Sequence, residues 1–121
     1  WSGSASLETK ILKKVHIDYI KAGAEVITTN TYPSNWIMLD VVGLGSKFEE
    51  INLKAINAAI ESRKECKRDD VLIAGFLSHI FPIADGDLKS NPAVVVSKSL
   101  LEESFGEMSE ILSQNGCDLI L

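Results

Sequence analysis

The residues best suited to bind a small molecule are three consecutive polar side chains, Asn30, Thr31 and Tyr32. They directly follow a short apolar run that is typical of a buried strand, so their amide, hydroxyl and phenol groups emerge where that strand ends. Binding sites of parallel α/β sheets gather at the carboxyl ends of the strands. The sequence therefore predicts that these residues bind a polar substrate. The same groups could instead tie the strand end to the next loop, and the sequence leaves that alternative open.

The two histidines and two cysteines have no spacing typical of metal ligands. His79 follows the second predicted strand, where a base or a ligand could stand, but no partner lies at metal-ligand spacing. His16 falls within a predicted helix, far from the carboxyl ends, and is interpreted as a packing or surface residue. Cys66 and Cys117 precede predicted strands and are interpreted as buried structural residues. We therefore expect neither a catalytic residue nor a metal ligand in this chain.

Composition and charge exclude several classes of protein. Hydrophobic residues make up 45% and charged residues 24% of the 121 residues, which is typical of one globular domain and not of a disordered tail. The net charge is −5 and no Lys/Arg cluster exceeds two residues, so neither nucleic acid nor a membrane surface is an expected partner. No apolar run approaches the roughly 18–20 residues that cross a bilayer.

The cysteine content indicates a cellular compartment, and the first residue indicates whether the chain is part of a longer protein. Two cysteines far apart in the sequence form no disulfide framework, which favours a reducing, cytoplasmic compartment. The chain begins at Trp1 without a signal-like segment. We therefore expect it to be a piece of a longer protein.

Three helices are predicted from apolar residues at helical spacing, over about residues 7–22, 46–64 and 99–116. In the first helix the predicted inward stripe consists of Leu7, Ile11, Val15, Tyr19 and Ala22, widened by Leu12. Ser6 is predicted to cap this helix and Gly23 to end it. Capping boxes predict where the other two helices begin: Ser46 with Glu49, and Ser99 with Glu102.

Three strands are predicted at residues 25–29, 71–75 and 118–121. Each is a short continuous apolar run, which is typical of parallel sheets covered by helices. The order strand, helix, strand, helix, strand predicts an α/β fold, a parallel βαβαβ segment with its helices along one side. Residues 76–96 exceed the usual loop length, as functional or poorly ordered loops do, and their role stays open.

The sequence becomes recognisable around the first of these strands. Residues 16–32 read His-x-Asp-Tyr-Ile-x-Ala-Gly-Ala-x-Val-Ile-Thr-Thr-Asn-Thr-Tyr and closely resemble the homocysteine S-methyltransferase family. Supporting matches are Trp1-Ser2, Ala74-Gly75 and Gly116-x-Asp118-Leu119-Ile120-Leu121. The resemblance spans nearly the whole chain, with its specificity concentrated in residues 16–32.

The resemblance implies a fold and a reaction. Family members are (β/α)₈ (TIM) barrels that move a methyl group from a sulfonium, ammonium or folate donor to the thiol of homocysteine, giving methionine. A zinc ion held by three cysteines makes that thiol a thiolate. A whole barrel takes about 250 residues, so residues 1–121 would form a partial homocysteine-binding barrel domain holding about strands two to four of eight. The zinc ligands would then lie outside this chain, and the fragment alone would be inactive.

Two further interpretations remain open. Family members place a Ser-x-Gly-Pro turn after the third strand, whereas residues 76–82 have no Gly before the Pro. That departure leaves open a second interpretation, in which the chain is a non-catalytic barrel relative, or an isolated α/β binding or assembly module without metal. A sheet domain that binds a small anion is the weaker alternative, because Gly43-x-Gly45 lacks a third Gly and a preceding strand. The methyl donor and the oligomeric state are left open.

Overall fold

A computed structural model describes residues 8–78 and 97–121 of the chain. The elements are α1 (Thr9–Lys21), β1 (Val26–Thr28), α2 (Trp36–Val41), a 3₁₀ turn (Gly45–Lys47), α3 (Phe48–Glu65), β2 (Leu72–Gly75), α4 (Lys98–Gln114) and β3 (Leu119–Ile120). Ser6, Leu7, His79 and most of the loop at residues 76–96 lie outside the described residues.

The strands form a parallel sheet in the order β1-β2-β3. This confirms the predicted α/β fold with a three-stranded parallel sheet. Val26 pairs with Leu72, Ile27 with Ile73, and Ala74 with Leu119. Because all three strands run the same way, the residues after β1 and after β2 meet at one edge of the sheet.

The helices cover one face of the sheet. Ile27 and Ile73 belong to a buried cluster with Ile20 of α1 and Ala59 of α3, and Gly75 lies against Leu112 of α4. Side chains alternate along a strand, so Val26 and Leu72 point to the other face. There they are 44% and 43% exposed. Ala74, which points to the same face, is fully buried, so this second face is exposed at Val26 and Leu72.

The inward face of α1 differs from the prediction. The buried residues are Leu12, His16 and Ile20. Ile11, Val15 and Tyr19 of the predicted stripe are 65%, 45% and 64% exposed, and Ala22 is exposed too. Both stripes have helical spacing and lie side by side on the helix. The prediction is confirmed for Leu12 and was wrong for Ile11, Val15, Tyr19 and Ala22, because it followed the more apolar stripe, whereas the packed one contains a histidine.

The helix starts also correct the predictions. Ser46 lies inside the 3₁₀ turn that runs straight into α3, and α3 begins without a side-chain cap. In α4 the cap is Ser97, whose hydroxyl accepts from the amide of Leu100, so Ser99 already lies within the helix. The predicted ends are confirmed at Gly23 and Gly116, whose φ angles of 101° and 94° suit the left-handed exits of α1 and α4.

Helix α2 was not predicted. Asn35 caps it, its side-chain oxygen accepting from the amide of Met38 at 2.9 Å. With six residues, this helix is too short to show a helical period in the sequence.

Candidate functional site

A cleft of about 590 Å³ opens between α1, the outer edge of β1 and the carboxyl ends of β1 and β2. Its lining consists of Leu12, Val15, His16, Tyr19, Val26, Ile27, Thr28, Thr29, Asn30, Tyr32 and Phe76. The wall is mostly apolar, and its polar groups are concentrated at the carboxyl edge of the sheet. This is the arrangement typical of small-molecule sites: an apolar wall with a few polar groups that fix orientation.

Asn30 and Tyr32 lie in the cleft wall. Asn30 is half-buried, and the Tyr32 side chain is 38% exposed. The Tyr32 ring packs on Phe76, with ring centroids 5.0 Å apart and planes inclined by 31°. This contact joins the loop after β1 to the end of β2, so the phenol is carried by two neighbouring strand ends.

Thr31 lies behind the cleft wall and is fully buried. Its hydroxyl donates to the carbonyl of Phe76 at 2.8 Å and accepts from the amide of Phe76 at 3.2 Å. The Thr29 hydroxyl lies 2.8 Å away. Because these bonds use the hydroxyl, the Thr31 side chain braces the two strand ends. That Thr31, Asn30 and Tyr32 contribute to a substrate pocket remains a prediction.

A second set of buried polar side chains fixes the following turn, and sequence reasoning missed it. It consists of Ser34, Asn35, Asn52 and Ser78. Asn35 donates to the Ser78 hydroxyl at 3.1 Å, and Asn52 donates to the carbonyl of Ser34 at 2.8 Å. Only the polarity of Asn52 within an apolar helical stripe could have signalled this set in the sequence.

His16 also lies beside the cleft, a position that the sequence did not indicate. It lines the cleft from α1 and is only 6% exposed. Its Nε2 has no hydrogen-bond partner within the described part of the chain. Burial lowers the pKa of this imidazole, because the charged form loses its hydration. His16 is therefore a packing residue, as expected, that also presents a neutral polar atom beside the cleft.

The cysteines do not fit the zinc site that the resemblance implies. Cys66 follows α3 and Cys117 precedes β3, and both pack against the core cluster near the amino ends of the strands. Burial and the neighbouring Asp118 raise the pKa of the Cys117 thiol to about 11, which opposes the thiolate that zinc needs. Over residues 8–78 and 97–121, no three His, Cys, Asp or Glu side chains come together as a metal site would require. None of the helices described is long and apolar enough to span a membrane.

The comparisons with known proteins agree on one family. The sequence profile of the family described as "Homocysteine S-methyltransferase" matches residues 1–121. Homocysteine S-methyltransferase 2 of Zea mays is 28% identical over 135 residues, which cover 99% of this chain and 40% of the maize protein. Selenocysteine Se-methyltransferase of Brassica oleracea var. italica is 26% identical, with the same coverage. The chain thus spans about two-fifths of the length of these curated relatives.

The fold has a similar solved counterpart. The crystal structure of the homocysteine methyltransferase MmuM from Escherichia coli, in its oxidized form, superposes with a TM-score of 0.76. The match covers 99% of this chain and 44% of that structure, at 22% sequence identity. At this identity the likeness establishes a shared fold.

Proposed function

The chain belongs to the homocysteine S-methyltransferase family, and we propose that it forms part of an enzyme that transfers a methyl group to the thiol of homocysteine, giving methionine. The observation that carries the proposal is where the family motif ends. Residues 16–32 span α1, β1 and the loop after β1, and their last residues Asn30 and Tyr32 form the polar end of the cleft. The most family-like part of the sequence thus builds this wall.

We further propose that residues 1–121 are a partial (β/α)₈ barrel domain, with β1–β3 as about the second to fourth of eight strands. Three observations support this placement: the parallel order, the helices on one face and the apolar side chains on the other. A closed barrel would bury Val26 and Leu72 among inward side chains of the remaining strands. The open edge of β1 would pair with the preceding strand, which would occupy the part of the cleft between α1 and β1 and leave its polar end at Asn30 and Tyr32 as the substrate site.

Within that enzyme, Asn30 and Tyr32 would bind and orient the acceptor. Homocysteine carries an ammonium and a carboxylate. The carboxamide of Asn30 and the phenol of Tyr32 can each form a hydrogen bond with either of these groups. In the reaction the thiolate attacks the methyl carbon, a new S–C bond forms, and the electron pair of the broken bond stays with the donor. Zinc, when bound, would lower the pKa of the acceptor thiol. Because Cys66 and Cys117 do not fit such a site, its ligands would come from residues outside this chain.

A second candidate is a relative that binds without catalysing. The observation that favours it is the departure at residues 76–82 from the family turn. Within that stretch, Ser78 accepts a hydrogen bond from Asn35 and so braces the loop. With Ser78 used in this way, the protein would keep the cleft while giving up some of the hydrogen bonds to substrate.

Methionine formation by the full-length protein tests these alternatives. The protein is incubated with homocysteine and, in separate reactions, with S-methylmethionine, betaine, a methylated folate or S-adenosylmethionine. Transfer from at least one donor is the expected result, and it also identifies the donor. If calorimetry shows homocysteine binding but no donor yields methionine, the non-catalytic relative is correct. If homocysteine does not bind either, both candidates are wrong.

A further inference from the structure

Asn52 is a polar residue on the buried stripe of α3. It is fully buried, among apolar neighbours such as Ile51, Ala55 and Ile56. Burying a carboxamide is costly unless its hydrogen bonds are made, and an apolar side chain would avoid that cost. The presence of Asn52 here therefore calls for a structural reason beyond filling the core.

Three hydrogen bonds supply that reason. Asn52 Nδ2 donates to the carbonyl of Ser34 at 2.8 Å and to the carbonyl of Phe48 at 2.8 Å. Its Oδ1 accepts from the Ser34 hydroxyl, 2.7 Å away. Two of the three bonds thus reach Ser34, which lies in the loop after β1 and not in α3. The carboxamide spans the backbone and the side chain of that one residue.

Ser34 closes the turn that carries Tyr32. Its amide donates to the carbonyl of Thr31 at 3.1 Å, which makes Tyr32 and Pro33 the central residues of the turn. The Ser34 hydroxyl also lies 2.8 Å from the same carbonyl. The first residue of the turn is tied to β2 through Phe76, and its last residue is tied to α3 through Asn52. The Tyr32 ring is therefore held between two anchors.

We propose that Asn52 is a positioning residue, which places the Tyr32 phenol in the cleft by fixing the end of the turn at Ser34. The inference rests on the proposed function, because it treats Tyr32 as a substrate contact. Asn52 itself does not line the cleft, so its effect on the reaction passes through Tyr32. Without the carboxamide, the turn would keep its anchor at Thr31 and lose the anchor at Ser34.

The test replaces Asn52 by leucine in the full-length protein, which keeps the number and branching of the side-chain heavy atoms and removes all three bonds. Ser62→Ala is the matched control, because Ser62 is also fully buried on α3 and hydrogen-bonded. Its hydroxyl reaches the carbonyls of Ala58 and Lys13, at the end of α3 away from the turn. Steady-state kinetics are measured well below the melting temperature of every variant. We expect both variants to melt earlier, and only Asn52→Leu to lower kcat/KM, by about 10- to 100-fold, since small misplacements of a binding group are costly.

Ser34→Ala gives a milder second variant if Asn52→Leu does not fold. It removes one bond to Asn52 and keeps both carbonyl bonds of the carboxamide, so kcat/KM should fall roughly fivefold, as for the removal of one hydrogen bond. If Asn52→Leu or, in its place, Ser34→Ala keeps kcat/KM within about twofold of the wild type, the positioning role is wrong.

A second readout separates this inference from the proposed function. In the wild-type protein the Tyr32 ring resonances should carry the ring-current shift expected of a ring 5.0 Å from Phe76. Asn52→Leu should move them toward solvent-exposed values, and Ser62→Ala should not. If the wild-type protein transfers no methyl group, the proposed function fails while these spectra still decide the role of Asn52. Unchanged Tyr32 resonances in Asn52→Leu, or in Ser34→Ala if the leucine variant does not fold, would overturn it.

Discussion

The side chain of Leu112 lies directly against the backbone of Gly75. A methyl group built on Gly75 would stand 2.8 Å and 2.9 Å from the two terminal carbons of Leu112. Leu112 is fully buried and packs with Ile56 and Met108, so it has little room to move away. Glycine at this position lets α4 approach β2 at the edge of the sheet that holds the cleft.

Alanine substitutions at two glycines should therefore have opposite effects. Gly75→Ala overpacks the contact with Leu112 and should lower the free energy of unfolding by about 1–3 kcal/mol. Gly106→Ala, on α4 with open space around it, should raise it by up to about 1 kcal/mol, because alanine favours the helix. Urea denaturation of both variants measures the difference. A Gly75→Ala protein as stable as the wild type would show that α4 can shift away from the sheet.

The amino edge of the sheet is held by an ion pair whose carboxylate also binds the backbone. Asp118 Oδ2 accepts from Arg63 Nη1 and from the amide of Ile73, both at 2.8 Å. Asp118→Ala would leave the amide of Ile73 and a partly buried guanidinium without this acceptor. Such a loss should cost about 1–3 kcal/mol of unfolding free energy.

Asp70→Ala is the control for this prediction. Asp70 pairs with Arg68 at 2.6 Å, but its side chain is 63% exposed. Exposed ion pairs contribute little, so this variant should unfold like the wild type. Equal losses in the two variants would mean that the bond from Asp118 to Ile73 adds nothing.

His16 should make stability depend on pH. Burial lowers the pKa of the folded imidazole below its ordinary value of 6.5, so the unfolded chain takes up a proton first as the pH falls. Stability therefore decreases as the pH is lowered from about 6.5 to the pKa of the folded imidazole, because over this range the unfolded state binds more protons than the folded state. Denaturation midpoints between pH 7.5 and 5.5 should fall in the wild type and vary less in His16→Leu. Parallel profiles for the two proteins would show that His16 is solvated when it is protonated.

The sequence predicted the three strands and the helices α1, α3 and α4, but it missed α2 and did not predict how the helices pack. Apolar runs located the three strands, because a buried parallel strand needs consecutive apolar residues. Periodicity did not decide which face of α1 turns inward, since the stripe with Ile11 and the stripe with Leu12 repeat equally well. The packed stripe contains His16, and its burial depends on α3, which is distant in sequence. The Ser-x-x-Glu pattern misplaced two helix starts because neighbouring serines and a 3₁₀ turn compete for the cap.

The candidate site was only partly predictable for a similar reason. The position of Asn30 and Tyr32 at the end of β1 follows from local sequence and from the rule for parallel sheets. The bonds that hold their loop join residues far apart in the chain, such as Ser34 with Asn52 and Thr31 with Phe76. No local pattern encodes such pairs. Thr31 is an example. From the sequence it was predicted to bind substrate like Asn30 and Tyr32, whereas in the structure its hydroxyl hydrogen-bonds to Phe76 and braces the two strand ends.

The central claim is that Asn30 and Tyr32 bind substrate at the carboxyl edge of the sheet. Its most direct test is the KM for homocysteine of Asn30→Ala and Tyr32→Phe in the full-length protein, with melting temperatures taken on the same preparations. Truncating a side chain that hydrogen-bonds the substrate costs about 1–3 kcal/mol of binding free energy, so KM should rise roughly 5- to 150-fold with little change in melting. If both variants instead melt several degrees lower and keep the wild-type KM, these residues brace the edge of the sheet and the assignment of the cleft is wrong.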